Sequence, residues 1–122
     1  MVSLAGIADL GAAAARRVCG DAPARLLGDP SGETAVRIAQ GSPSALVPLG
    51  VPQRLVSGRE DRIVPLDLVE GYARAAAAAG DDTVVTVLEG CGHFELVDPG
   101  SAAWPAVLGA VRELAGAAPV AP

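Results

Sequence analysis

The stretch TVVTVLE, residues 83–89, constrains the possible folds of this chain more than any other. It is β-branched nearly throughout, too short for a helix, and bounded by GDD on one side and GCG on the other. That pattern is the mark of a buried strand. Upstream, QRLVSG (53–58) reads as a second strand halted by Gly58. Between the two lies LDLVEGYARAAAAAG (66–80), a helix closing on Gly80, a natural residue just past a helix C-terminus. Strand, helix and strand joined by short loops make a βαβ crossover, so these two strands are expected to be parallel neighbours. In open sheets of this kind, functional side chains gather in the loops beyond the carboxyl ends of the strands. Asp61 stands three residues beyond the first strand, and His93, the single histidine, a few residues beyond the second. The topology therefore predicts that both face one edge of the sheet.

The rest of the chain supports an α/β reading. VSLA (2–5) predicts a short strand ended by Gly6, giving about three parallel strands at 2–5, 53–57 and 83–88. A helix is expected from the N-cap candidate Asp9 to Val18, with Gly11 its weak point. Residues 20–32 are dense in turn formers and admit at most a short helix, and ETAVRIAQ (33–40) reads as another. GSPSALVPLGVP (41–52) holds three prolines and predicts an irregular connector. Asp98 and Pro99 form a turn, and Ser101 is the N-cap candidate of a last helix running to Leu114. Pro105 is tolerable only in its first turn. The sequence has no internal repeats. Residues 1–116 are read as a single domain, and the tail 117–122 as disordered.

Composition narrows the function. At 122 residues the chain supports one core, and its hydrophobic 51% is mostly alanine and valine. Aromatics are limited to Tyr72, Phe94 and Trp104, which predicts small-residue packing of helices on a sheet, with Tyr72 and Trp104 at those contacts. The formal charge is −5 and all nine basic residues are arginine, a balance that argues against nucleic acid as a partner. No apolar run approaches a membrane span, and the opening MVSLAGIADLG lacks the basic start of a signal peptide. A cytoplasmic protein that does not engage membranes is expected. Cys19 and Cys91 lack metal-ligand or disulfide-framework spacing, and no metal or cofactor is expected. Cys91 reads as a small residue filling a tight loop, and Glu60 and Arg62 as solvated loop charges.

Two motifs carry a family resemblance. LVSGREDRIVP followed by TVVTVLEGCGHFELVDP resembles the C-terminal portion of α/β-hydrolase fold enzymes of the esterase, dienelactone-hydrolase and prolyl-oligopeptidase-like kind. The first matches a G-x-x-D-x-[IV]-V-P loop through Gly58, Asp61, Ile63, Val64 and Pro65. The second matches a G-x-G-H-F loop through Gly90, Gly92, His93 and Phe94. The match covers roughly residues 50–114. MVSLAGIADL is similar to the strand and loop that follow the nucleophile's helix in such enzymes, which makes residues 10–49 a variable, lid-like segment. The resemblance implies a serine hydrolase acting on small-molecule esters or peptides, with Asp61 as triad acid and His93 as general base. The family order of serine, then aspartate, then histidine is obeyed by the last two.

The nucleophile is not encoded. Ser3, Ser31, Ser42, Ser44, Ser57 and Ser101 all lack the flanking glycines of a G-x-S-x-G elbow, and the oxyanion-hole segment is missing too. In the family both precede the position of residue 1, so the chain is expected to be inactive alone. Taken singly, Asp61 reads as a turn or capping residue and His93 as a surface histidine; within the two motifs both read as triad members. The alternative function is a non-catalytic α/β module that associates with a partner or with itself through an exposed sheet edge.

Overall fold

The computed structural model describes residues 1–28 and 32–117. Strands β1 (Val2–Leu4), β2 (Gln53–Gly58) and β3 (Thr83–Leu88) form one parallel sheet in the order β1-β2-β3. Ser3 lies opposite Leu55, and Leu55 opposite Val85. Three short helices, α1 (Leu10–Ala15), α2 (Ala22–Leu27) and α3 (Gly32–Gly41), fill the connection from β1 to β2. Helix α4 (Leu66–Ala78) is the crossover between β2 and β3, and α5 (Trp104–Ala117) closes the described chain. The fold is a partial α/β sheet with flanking helices.

Helices cover the two sheet faces unequally. Helix α4 packs against β2 and β3, whereas α5 lies over β1 and β2. Central β2 is consequently buried almost throughout, with Leu55 and Val56 in the core. Strand β3 departs from the expected buried strand: it is an edge strand whose residues alternate between half-buried and exposed, and Val84 is 45% exposed. Its β-branched run suits the pleated backbone on either face. Burial of the second face depends on a helix above it, and α5 sits over the other two strands. The core joins few large residues, among them Leu96, Val107 and Tyr72, to alanines 13, 73, 76, 103 and 110. Trp104 packs half-buried against it.

Helix ends differ from expectation at two places. Asp9 caps α1 as anticipated, its Oδ1 accepting the Ala12 N–H at 2.9 Å, but the helix stops at Ala15. Arg17 and Cys19 then adopt left-handed backbone, with φ of 52° and 56°. At the other end, Ser101 Oγ accepts the Ala103 N–H at 3.2 Å inside a turn, and α5 begins only at Trp104, with Pro105 in its first turn. The helix passes Leu114 because the next proline is Pro119, so Ala117 is helical and not part of a tail. The rest of the expected tail, 118–122, lies outside the described residues. No helix among the described residues is long and apolar enough to cross a membrane.

A buried polar network fastens the amino-terminal edge of the sheet. Gln53 is fully buried. Its Nε2 donates to Asp81 Oδ2 at 3.0 Å, and its Oε1 accepts the Tyr72 hydroxyl at 2.6 Å. Asp81 in turn accepts the Leu49 and Gly50 N–H groups, each at 2.8 Å. Connector, β2, α4 and the start of β3 are thus joined through side chains that burial would otherwise penalise. Tyr72→Phe leaves Gln53 Oε1 without its donor. It is expected to cost about 1–3 kcal/mol in urea unfolding with little change in the native circular dichroism spectrum.

Candidate functional site

Because the sheet is parallel, β2 and β3 end at the same edge, and the loops that follow them meet there. Gly58 allows the meeting. A Cβ at this position would lie 2.1 Å from the Cys91 carbonyl oxygen and 2.5 Å from that of Gly92, so the histidine loop crosses directly over a residue without a side chain. Gly90, with φ of 66°, turns the chain into that crossing. The loops are then tied by hydrogen bonds. Arg59 N–H donates to Leu88 O at 2.9 Å, Glu60 N–H to Cys91 O at 3.0 Å, and Cys91 N–H to Glu60 Oε2 at 2.8 Å. An ion pair between Arg59 Nε and Glu89 Oε1, 2.5 Å apart, bridges their outer side.

Asp61 and His93 come together within this frame. The Asp61 side chain is 0% exposed, and its Oδ2 lies 2.7 Å from His93 Nδ1. Its other oxygen, Oδ1, accepts the N–H groups of Ile63 and Val64 at 2.8 and 2.9 Å. Asp61 is therefore a turn residue through one oxygen and a histidine partner through the other. It does not cap α4, whose N-cap position is Pro65 and has no side-chain cap bond. The His93 ring is 27% exposed and packs edge-on against Phe94, with centroids 5.2 Å apart and planes at 89°.

Electrostatics follow from these contacts. Burial pushes the Asp61 carboxyl up, but hydrogen bonds from His93, Val64 and Ile63 outweigh it and hold the group below its ordinary 3.8. An ionised Asp61 accepts, so Nδ1 of His93 carries the proton and Nε2 is left as the basic nitrogen. That arrangement equips the ring to take a proton from a hydroxyl placed at Nε2.

Other candidate groups sort differently. Cys91 is buried, and its Sγ donates to Gly92 O at 3.4 Å. Burial, then the carboxylates of Glu95, Glu60 and Asp61, push its thiol up, which suppresses the thiolate a nucleophile or metal ligand requires. Ser57 is buried in β2, its Oγ without a hydrogen-bond partner among the described residues. Arg62 is exposed, as expected of a solvated charge. Glu60 is not merely solvated: it bonds across to the neighbouring loop, a role no local pattern announces. The relevant signal, its proximity to Cys91, exists only once the two strands are in register.

No family model matches the chain, and no curated protein matches it. Solved structures do. Esterase 2 of Thermogutta terrifontis, phosphonylated by sarin, gives a TM-score of 0.53 at 22% identity over 70% of this chain and 35% of that one. The native form of the thermophilic esterase from this Planctomycetes species gives 0.53 at 21% identity, over 69% and 34%. The chain thus spans about a third of the length of the esterase it matches. At this identity the likeness is one of fold.

The Asp61 carboxyl also predicts how stability responds to acid. Its folded value is below 3.8, so its stabilising contribution is complete above 3.8 and is lost as pH falls through that value toward the lower one. The stability gap between wild type and Asp61→Asn in urea unfolding is expected to shrink as pH falls from about 5 toward 3. A gap that stays level over this range would contradict the assignment.

Proposed function

We propose, from the esterase-like fold, that this chain supplies the acid and the histidine of a serine-hydrolase triad, acting on small-molecule esters or amides. One observation carries the reading: a fully buried carboxylate, already satisfied by two backbone N–H groups, turns its second oxygen to the chain's single histidine at 2.7 Å. In the proposed reaction Asp61 holds the Nδ1–H tautomer. His93 Nε2 takes the proton from a serine Oγ as that oxygen attacks the substrate carbonyl. The imidazolium, stabilised by Asp61, then returns the proton to the leaving group, and water repeats the cycle on the acyl-enzyme.

The serine and the oxyanion donors are proposed to come from polypeptide outside this chain, which alone is inactive. Residues 1–116 form the C-terminal domain of such an enzyme, and 10–49 its lid-like segment. An apolar groove of about 230 Å³, lined by Ile7, Leu10, Cys19, Pro23 and Leu26, begins just past the carboxyl end of β1 and is suited to an aliphatic substrate group. No cofactor takes part, and two unpaired cysteines accord with a cytoplasmic setting. To test the reading, the chain is joined to an upstream half bearing a G-x-S-x-G elbow and assayed on p-nitrophenyl esters. His93→Ala is expected to lower kcat roughly a thousandfold or more. Hydrolysis indifferent to that substitution would refute the assignment.

A second reading rests on the edge of β1. Ala5 N–H and Met1 O bond to β2, so the intervening Val2 and Leu4 direct their backbone groups away from the sheet. Beside this edge lies an apolar cavity of about 120 Å³ lined by Met1, Ile7, Leu55 and Tyr72. An unpaired edge next to apolar surface invites strand pairing with a second copy. Sedimentation is expected to show concentration-dependent association; a monomer at every concentration would dismiss this reading.

A further inference from the structure

Glu60 holds both polar groups of one residue in the facing loop. Its backbone N–H donates to Cys91 O at 3.0 Å, and its side-chain Oε2 accepts the Cys91 N–H at 2.8 Å. Glu60 adjoins Asp61, and Cys91 is two residues from His93, so this pair of hydrogen bonds sits a short lever arm from the Asp61–His93 contact. The other restraints on the histidine loop differ in kind. Gly58 permits the close approach but exerts no hold, since it contributes no side chain. The bonds from Arg59 N–H and Glu60 N–H are backbone bonds, which any residue but proline would make at 59 and 60. The Arg59–Glu89 ion pair also depends on residue type, but it lies on the solvent side, with side chains 51% and 70% exposed. The Glu60 carboxylate is the inner side-chain restraint, and it satisfies the N–H of a residue only 5% exposed.

We propose that Glu60 is a positioning residue: its carboxylate anchors the histidine loop so that His93 Nδ1 stays within hydrogen-bond reach of Asp61 Oδ2. The proposal deepens the triad reading and rests on it. A 2.7 Å bond between a ring nitrogen and a carboxylate tolerates little displacement, since such bonds span only about 2.7–3.2 Å and weaken steeply once the donor angle falls below about 120°. Once the loop drifts, Asp61 no longer selects the Nδ1–H tautomer, and Nε2 ceases to be the reliable base. Gln at position 60 retains an acceptor oxygen at the same reach. Asp keeps the charge but is shorter by one methylene and loses the contact.

The single histidine makes the test direct, because its ring nitrogens give unique signals in nitrogen-15 NMR of the 122-residue chain. At a pH where the ring is neutral, wild type and Glu60→Gln are expected to show predominantly the Nδ1–H tautomer. In Glu60→Ala and Glu60→Asp, the ratio of Nδ1–H to Nε2–H should fall by about fivefold or more, and the Cys91 amide should exchange about tenfold faster. Should Glu60→Ala fail to fold, Glu60→Asp against Glu60→Gln decides the matter. Folded Glu60→Ala or Glu60→Asp protein with the wild-type tautomer ratio overturns the positioning role alone. Wild-type protein in the Nε2–H form overturns the Asp61–His93 pairing and the triad reading along with it.

Discussion

The two loops at the carboxyl edge of the sheet occupy almost the same space, and position 58 is where the overlap is resolved. Two carbonyl oxygens of the histidine loop lie within 2.5 Å of where a Cβ would stand. With glycine there, the loop after β3 descends onto the end of β2, and every further contact becomes possible. Those contacts include the Arg59 and Glu60 backbone bonds, the Glu60 side-chain bond and the meeting of His93 with Asp61. Parallel register brings the loops to one edge. The missing side chain brings them into contact.

Within that contact the balance at Asp61 is set by competition between desolvation and hydrogen bonding. A carboxylate with 0% exposure is costly to ionise unless donors replace the lost water. Ile63 and Val64 provide two N–H donors through a tight local turn, and His93 the third, from the loop after β3. The local pair and the distant ring act on opposite oxygens, so the turn also orients the carboxylate toward the histidine. A turn residue and a histidine partner are here the same group.

The opposite edge shows a comparable solution without the chemistry. Gln53, Tyr72 and Asp81 share a buried network that ends on the Leu49 and Gly50 N–H groups. The alanine-rich core has little bulk with which to lock its elements in place. Directional bonds at both edges specify register where side-chain volume does not.

The sequence by itself determined the strands, the parallel crossover and the placing of Asp61 and His93 at one edge of the sheet, because β-branched runs, helix length and strand-end loops are local or topological facts. The N-cap at Asp9 and the helix stop before Gly80 were legible for the same reason. Only the tertiary structure decided that β3 is half-open, since coverage of its second face depends on where α5 lies. It also decided that α5 starts at Trp104, after Ser101 is absorbed into a turn, and that Gln53 is an interior residue. Glu60 is the sharpest case. Alone it is a charged loop residue like Arg62, and its bond to Cys91 arises only when distant segments are aligned. A hydrogen bond between residues 31 positions apart leaves no trace in the local pattern of either.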